Sequence, residues 1–137
     1  MYISTTQIRV RYGETDQMGY LYHGNYMLYY EEGRTEAIRR LGITYKELEA
    51  MNVGLPVVAS ELEYLRPAFY DDLITVKTTI EALPHDSFIT FHTELYNEKN
   101  KLLNRGKTRL VFYDISARKK VQMPDVLGRA LAPYFQQ

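Results

Sequence analysis

Only one stretch of this chain repeats its apolar residues at the spacing of a long helix, and almost everything after it repeats them at the spacing of a strand. Met27, Tyr30, Ala37, Ile38 and Leu41 recur at helical intervals, the pattern of a helix with one buried face. Gly42 follows as the stop. Gly33 lies inside this helix. Glycine there costs roughly 1 kcal/mol relative to alanine, so a close approach to another backbone is expected as the compensation. Thr44 to Met51 reads as a short second helix, with Thr44 as N-cap and Glu47 completing a capping box.

The strands bracket these helices. Ile8, Val10 and Tyr12 alternate with Gln7, Arg9 and Arg11, the period of a half-buried strand. Gly54 to Leu65 reads as a strand that ends at Arg66-Pro67. Leu73 to Leu83 carries Ile74, Val76, Ile80 and Ala82 on one face, and Thr75, Lys77, Thr79 and Glu81 on the other. Pro84 to Ser87 is a turn. Phe88 to Asn97 alternates again, Asn97 to Asn100 closes a hairpin, and Leu102 to Ile115 is the last long strand. Pro124 to Leu131 fits a final helical turn or two. Hairpin-joined strands around one long helix make an α+β fold with an antiparallel sheet. The helix packs across the sheet, which curves around it and leaves its Thr-, Glu- and Lys-rich face in water.

The 137 residues suit one domain. Seventeen basic and seventeen acidic side chains balance, so no global field recruits nucleic acid or an anionic membrane. There is no cysteine, which removes disulfides, zinc-thiolate sites and a thiol nucleophile. The first residues lack the apolar run of a signal peptide, and no apolar stretch approaches a membrane span. A cytoplasmic protein without stable membrane insertion is the expectation. Three separated histidines without cysteine form no metal constellation.

The chemistry concentrates in Tyr12 to Tyr26, between the first strand and the long helix. This segment holds Asp16, His23 and the glycines Gly13, Gly19 and Gly24. A helix N-terminus presents unpaired N–H groups and a partial positive charge, which suits a developing oxyanion. A carboxylate beside it can attack a carbonyl or activate a water. Asp16 is equally at home as a turn residue that bonds its own backbone, and His23 as a plain helix-entry residue. His85 and His92 read as surface residues. Arg105, Lys107 and Arg109 share one strand face, ordinarily a solvated one. An anionic ligand would need a local basic strip on a neutral protein, and this strip or Arg118-Lys119-Lys120 could supply it.

The element order and these motifs resemble the hotdog-fold acyl-CoA thioesterases, most nearly the 4-hydroxybenzoyl-CoA thioesterase-like family in its YbgC-type branch. The carrying residues are Arg11-Tyr12, Glu14-Thr15-Asp16, Gly19, Tyr22-His23-Gly24-Asn25-Tyr26 and Tyr30 to Glu36. Gly54 to Val58 and Arg66 to Asp72 add weaker support. The resemblance implies one hotdog domain over residues 1–137 that hydrolyses an acyl-CoA thioester without a metal or redox cofactor. It implies Asp16 as nucleophile or general base and His23 as a second catalytic residue. The backbone N–H near His23 or Gly24 would polarise the carbonyl, and Tyr22, Gly24, Asn25 and Tyr30 would meet substrate. It further implies a homodimer, joined edge to edge, or a homotetramer. Two alternatives stay open: an acyl-carrier-protein thioesterase and a non-catalytic acyl-binding hotdog protein. The hotdog dehydratases place Pro-Gly after their histidine, whereas Gly24-Asn25 follows His23 here.

Overall fold

A computed structural model of the chain describes residues 1–136. Strand β1 (Tyr2–Arg9) leads through short turns to the long helix α1 (Tyr26–Arg39) and then α2 (Tyr45–Ala50). Strands β2 (Val53–Gly54), β3 (Val57–Tyr64), β4 (Leu73–Ile80), β5 (Phe88–Tyr96), β6 (Leu102–Val111), β7 (Tyr113–Asp114) and β8 (Lys119–Lys120) follow. Helix α3 (Asp125–Leu131) follows, with a closing 3₁₀ turn over Ala132–Phe135. The main sheet has the order β1-β4-β5-β6-β3, antiparallel throughout. A small second sheet, β2-β7-β8, lies beside it.

The central strands form as their alternation predicts. Ile74, Val76, Thr78 and Ile80 of β4 and Ile89, Phe91, Thr93 and Leu95 of β5 are buried, and their neighbours face outward. Helix α1 buries Tyr26, Tyr29, Tyr30, Gly33, Arg34, Ala37 and Ile38, one stripe at helical spacing. It lies over β1, β4 and β5. Tyr26, Tyr29 and Tyr30 pack with Ile8, Val10, Ile74, Val76 and Leu95. Ala37 and Ile38 join a second cluster with Ile80, Phe91, Phe112, Leu127 and Leu131. Helix α3 supplies the last two of these, so the final helical turns serve the core.

Several expected boundaries move. The single strand over 54–65 is two, parted at Pro56, whose nitrogen has no hydrogen to give a ladder. β2 pairs with β7, and β3 pairs with β6. The last long strand likewise breaks at Phe112, whose N–H is taken by the Ser87 carbonyl. β1 ends before Tyr12, which sits exposed in a 3₁₀ turn over Tyr12–Glu14. Ala82 lies past the end of β4 and is exposed. Thr44 caps α2 by accepting from the Glu47 amide at 3.1 Å; among the described residues Glu47 returns no bond to Thr44. The close approach at Gly33 is to side chains, not to a backbone. A Cβ there would stand 2.6 Å from both Thr78 Oγ1 and Val76 Cγ1. The glycine that meets a backbone is Gly106 of β6, where a Cβ would come 2.1 Å from the Glu61 carbonyl oxygen.

Candidate active site

The loop after β1 is built around Asp16. Thr15 and Leu21 bridge as a tiny hairpin. The Asp16 N–H donates to the Tyr20 carbonyl at 2.9 Å, and the Gly19 N–H donates to the Asp16 carbonyl at 3.0 Å. Gly19 has φ +78, a left-handed conformation that costs glycine little. The side chain completes the turn, since Asp16 Oδ1 accepts from the Met18 and Tyr20 amides at 2.9 and 3.2 Å. Oδ2 has no hydrogen-bond partner among the described residues. The turn reading and the chemical reading of Asp16 are therefore compatible: one oxygen holds the loop and the other is free.

The segment after β3 laces this loop in place. The Leu21 N–H donates to the Ala68 carbonyl at 2.8 Å, and the Tyr70 N–H to the Gly19 carbonyl at 3.3 Å. Val10 and Asp72 bond through the Val10 N–H at 2.9 Å, and the Asp71 N–H returns to the Val10 carbonyl at 3.0 Å. Arg66 to Asp72 is thus a scaffold for Asp16.

Glu14 ties the loop to α1. Its Oε1 accepts from the Arg11 amide at 2.9 Å and the Tyr29 hydroxyl at 2.8 Å, and its Oε2 faces the Arg11 guanidinium at 3.0 Å. Burial pushes the Glu14 carboxyl up, but the Arg11 amide, the Tyr29 hydroxyl and the Arg11 guanidinium together hold it below the usual carboxylate value. Burial and the Glu14 charge hold the Tyr29 phenol well above its ordinary value. The Glu14 carbonyl accepts from the Tyr22 N–H and from Asn25 Nδ2, both at 2.9 Å.

His23 to Asn25 form a 3₁₀ turn that runs directly into α1. Asn25 and Tyr26 donate their N–H groups to the Tyr22 and His23 carbonyls. The His23 and Gly24 amides have no acceptor among the described residues. Tyr22 tilts its ring against the His23 imidazole, with centroids 4.4 Å apart. The same ring explains Gly24, where a Cβ would meet it at 2.9 Å.

Asp16 and His23 line one cleft of about 310 Å³ with Met18, Tyr20, Tyr26 and Tyr64. Leu65, Arg66 and Pro67 also border it. Burial raises the Tyr26 phenol, the Ala68 backbone pulls it back, and the neighbouring Tyr64 and Asp16 push it up again. The phenol is therefore neutral where the cleft meets the core. Of the other residues expected to meet substrate, Tyr22 flanks His23, Gly24 offers its amide, and Asn25 is spent on Glu14. Tyr30 is fully buried under the sheet with its hydroxyl on Asn104 Oδ1. Sequence reasoning did not single out Tyr64 and Arg66 for the cleft. Arg66 gives one guanidinium bond to the Leu102 carbonyl at 2.9 Å. Only tertiary contact brings these residues to Asp16; no local pattern marks them.

The expected basic strip is largely spent. Arg105 pairs with Glu63 at 3.1 Å and Lys107 approaches Glu61 at 4.0 Å. Arg109 stacks on Phe88, 3.7 Å from the ring centre. A larger hollow of about 630 Å³ on this outer sheet face holds neither Asp16 nor His23, and its charges pair with one another, including Lys77 with Glu94 at 3.7 Å. Among the described residues no group of three or more His, Cys, Asp or Glu could hold a metal ion. No helix among them is long and apolar enough to cross a membrane.

The model of the thioesterase-like superfamily matches residues 10–131. The chain belongs to this family. Within the superfamily it is 32% identical over 130 residues to YbgC of Escherichia coli, an acyl-CoA thioester hydrolase by name, covering 95% of this chain and 93% of that one. It is 36% identical over 123 residues to YneP of Bacillus subtilis, covering 89% and 88%. Among solved structures, a DHNA-CoA thioesterase from Staphylococcus aureus superposes with TM-score 0.84 at 32% identity, over 98% of this chain and 85% of that one. The Thermus thermophilus protein TT1821 superposes with TM-score 0.89 at 32% identity, over 98% and 99%. The fold of this superfamily member is the hotdog fold, and its enzyme class is that of a thioester hydrolase.

Proposed function

We propose that this protein hydrolyses an acyl-CoA thioester to the free acid and coenzyme A in the cytoplasm, with Asp16 as the attacking group. The observation that carries the reading is a carboxylate with one unengaged oxygen, in the cleft that also holds His23 at the entry to α1, where two backbone amides have no partner. The thioester carbonyl oxygen takes the His23 and Gly24 amides, donors of the kind worth about 10²–10³ in rate. Asp16 Oδ2 attacks the carbonyl carbon, and the C–S bond breaks. The thiolate leaves and is protonated by solvent. Water then cleaves the mixed anhydride and restores the carboxylate. His23 orients the carbonyl and the water, Tyr22 steadies the imidazole, and Asn25 and Tyr30 support the site from the framework. General-base activation of water by the same oxygen is the variant of this scheme.

The names of YbgC and of the Staphylococcus aureus thioesterase support coenzyme A as the carrier. A homodimer joined along β3 completes the assembly, because that strand is an unpaired edge with nearly every residue exposed. The test is hydrolysis of a panel of acyl-CoA and acyl-carrier-protein thioesters, with Asp16→Asn as control. Turnover of acyl-CoA that the variant loses supports the reading. Preference for the carrier protein moves the substrate class. Acyl-CoA binding without turnover leaves the non-catalytic reading in its place.

A further inference from the structure

Tyr64 belongs to β3, far in sequence from the loop that carries Asp16 and His23. Yet its hydroxyl donates to the His23 carbonyl at 3.1 Å. Its ring stands edge-on to the His23 imidazole, 6.5 Å between centroids and 88° between planes. It stands edge-on to Tyr26 as well, at 5.1 Å and 89°. With Tyr22 on the imidazole too, His23 is contacted by two tyrosine rings. Among the described residues, this is the only side-chain hydrogen bond from β3 to the entry of α1.

The carbonyl that Tyr64 holds is half of a peptide group. The other half is the Gly24 N–H. A trans peptide is planar, with its C=O and N–H pointing in opposite directions, and there are no cis peptide bonds among the described residues. Fixing the His23 oxygen therefore fixes the direction of the Gly24 hydrogen. A hydrogen bond to a carbonyl also polarises its own amide, which strengthens the N–H as a donor. The Tyr26 N–H closes the 3₁₀ turn on the same oxygen, and the Tyr64 hydroxyl adds a second donor to it from outside the helix.

We propose that Tyr64 is a positioning residue for the reaction: its hydroxyl orients and polarises the His23–Gly24 peptide so that the Gly24 amide meets the developing oxyanion. The inference rests on the thioesterase reading given above. It makes an edge-strand residue, on the border of the expected dimer, part of the machinery that stabilises the transition state. Tyr64 touches no reacting atom; it acts through one peptide plane.

Tyr64→Phe tests this, since it removes the hydroxyl and keeps both ring contacts. The expected result is a kcat about tenfold lower with KM within about twofold, because the lost interaction is made in the transition state. The melting temperature should stay near that of the unaltered protein. An independent readout is the Gly24 amide in a ¹⁵N-labelled sample without substrate. Its nitrogen should move upfield more than that of any residue outside 22–26 and 63–65 when the His23 carbonyl is left with the Tyr26 N–H alone. Unchanged kcat overturns the proposal, as does a raised KM at constant kcat, which would make Tyr64 a substrate contact. If the unaltered protein hydrolyses no thioester at all, the functional reading falls, and the Gly24 resonance alone decides whether Tyr64 sets this peptide.

Discussion

At the scale of single residues, one oxygen of Asp16 holds the loop and the other has no hydrogen-bond partner among the described residues, and this dictates which substitution is informative. Asp16→Asn keeps an acceptor for the Met18 and Tyr20 amides, so the turn survives while the charge goes. Activity should fall by several orders of magnitude, about 4 kcal/mol or more of transition-state stabilisation, with circular dichroism and melting unchanged. Substantial hydrolysis by this variant would refute the mechanism. His23→Ala should lose less, roughly ten- to a thousand-fold, because the backbone donors remain; unchanged steady-state kinetics would make His23 structural. Acid quench of a first turnover should leave the acyl group on the peptide that carries Asp16 if attack is direct. The loop motif was legible in the sequence because Asp16, Gly19, His23 and Gly24 lie within nine residues. Tyr64 and Arg66 were not legible, since they reach the cleft only through the packing of β3. Tyr30 misled for the opposite reason: it lies in the motif segment, but its position on the helix points it into the core.

At the scale of elements, periodicity carried most of the fold. Strands β4 and β5 alternate cleanly because one face meets α1 and the other meets water. Two of the boundaries missed by sequence fall where the backbone leaves the ladder, at Pro56, which has no N–H to give, and at Phe112, whose N–H goes to Ser87. Gly33 is the sharpest case. Helix propensity alone makes Gly33→Ala stabilising by roughly 1 kcal/mol. The added carbon would meet Thr78 and Val76 at 2.6 Å, and overpacking of this kind costs about 1–3 kcal/mol. The expected outcome is net destabilisation in a urea titration; a stabilised variant would mean that β4 yields without cost. The Glu14 carboxylate joins the Asp16 loop to α1 through the Tyr29 hydroxyl and takes two more donors from Arg11, and its carboxyl sits below its ordinary value of 4.5 in the fold. A lowered carboxyl stabilises the fold above that ordinary value and loses the contribution as pH falls through the folded value. Glu14→Gln should cost about 1–3 kcal/mol at neutral pH. It should also melt with less sensitivity to acid than the unaltered protein below about pH 4.5. Parallel acid profiles for the two would show that Glu14 is not the linking group.

At the scale of the whole molecule, the decisive feature is an edge without a cover. β3 closes one side of the main sheet, and along Val57–Tyr64 only Leu62 is even half-buried. Val57, Val58, Tyr64 and Leu65 are 46%, 50%, 53% and 43% exposed. A long unpaired strand with apolar side chains invites another strand, and a two-fold axis lets the same edge serve both partners. Glu61 and Glu63 do not blunt this edge, because Lys107 and Arg105 neutralise them within the sheet. The cleft lies at the Tyr64 end of the same strand, so an antiparallel partner would run its own Val57 end alongside it. Light scattering at micromolar concentration should therefore give at least twice the 16.1 kDa of one chain. Val58→Glu should shift the protein toward monomer, because each protomer would then place an unpaired carboxylate in a desolvated seam. Hydrolysis should fall with the dimer fraction and recover as concentration rises, while the far-ultraviolet spectrum stays constant. A fully active monomer, in the unaltered protein or in Val58→Glu, would show that each cleft is complete on its own and that β3 stays free.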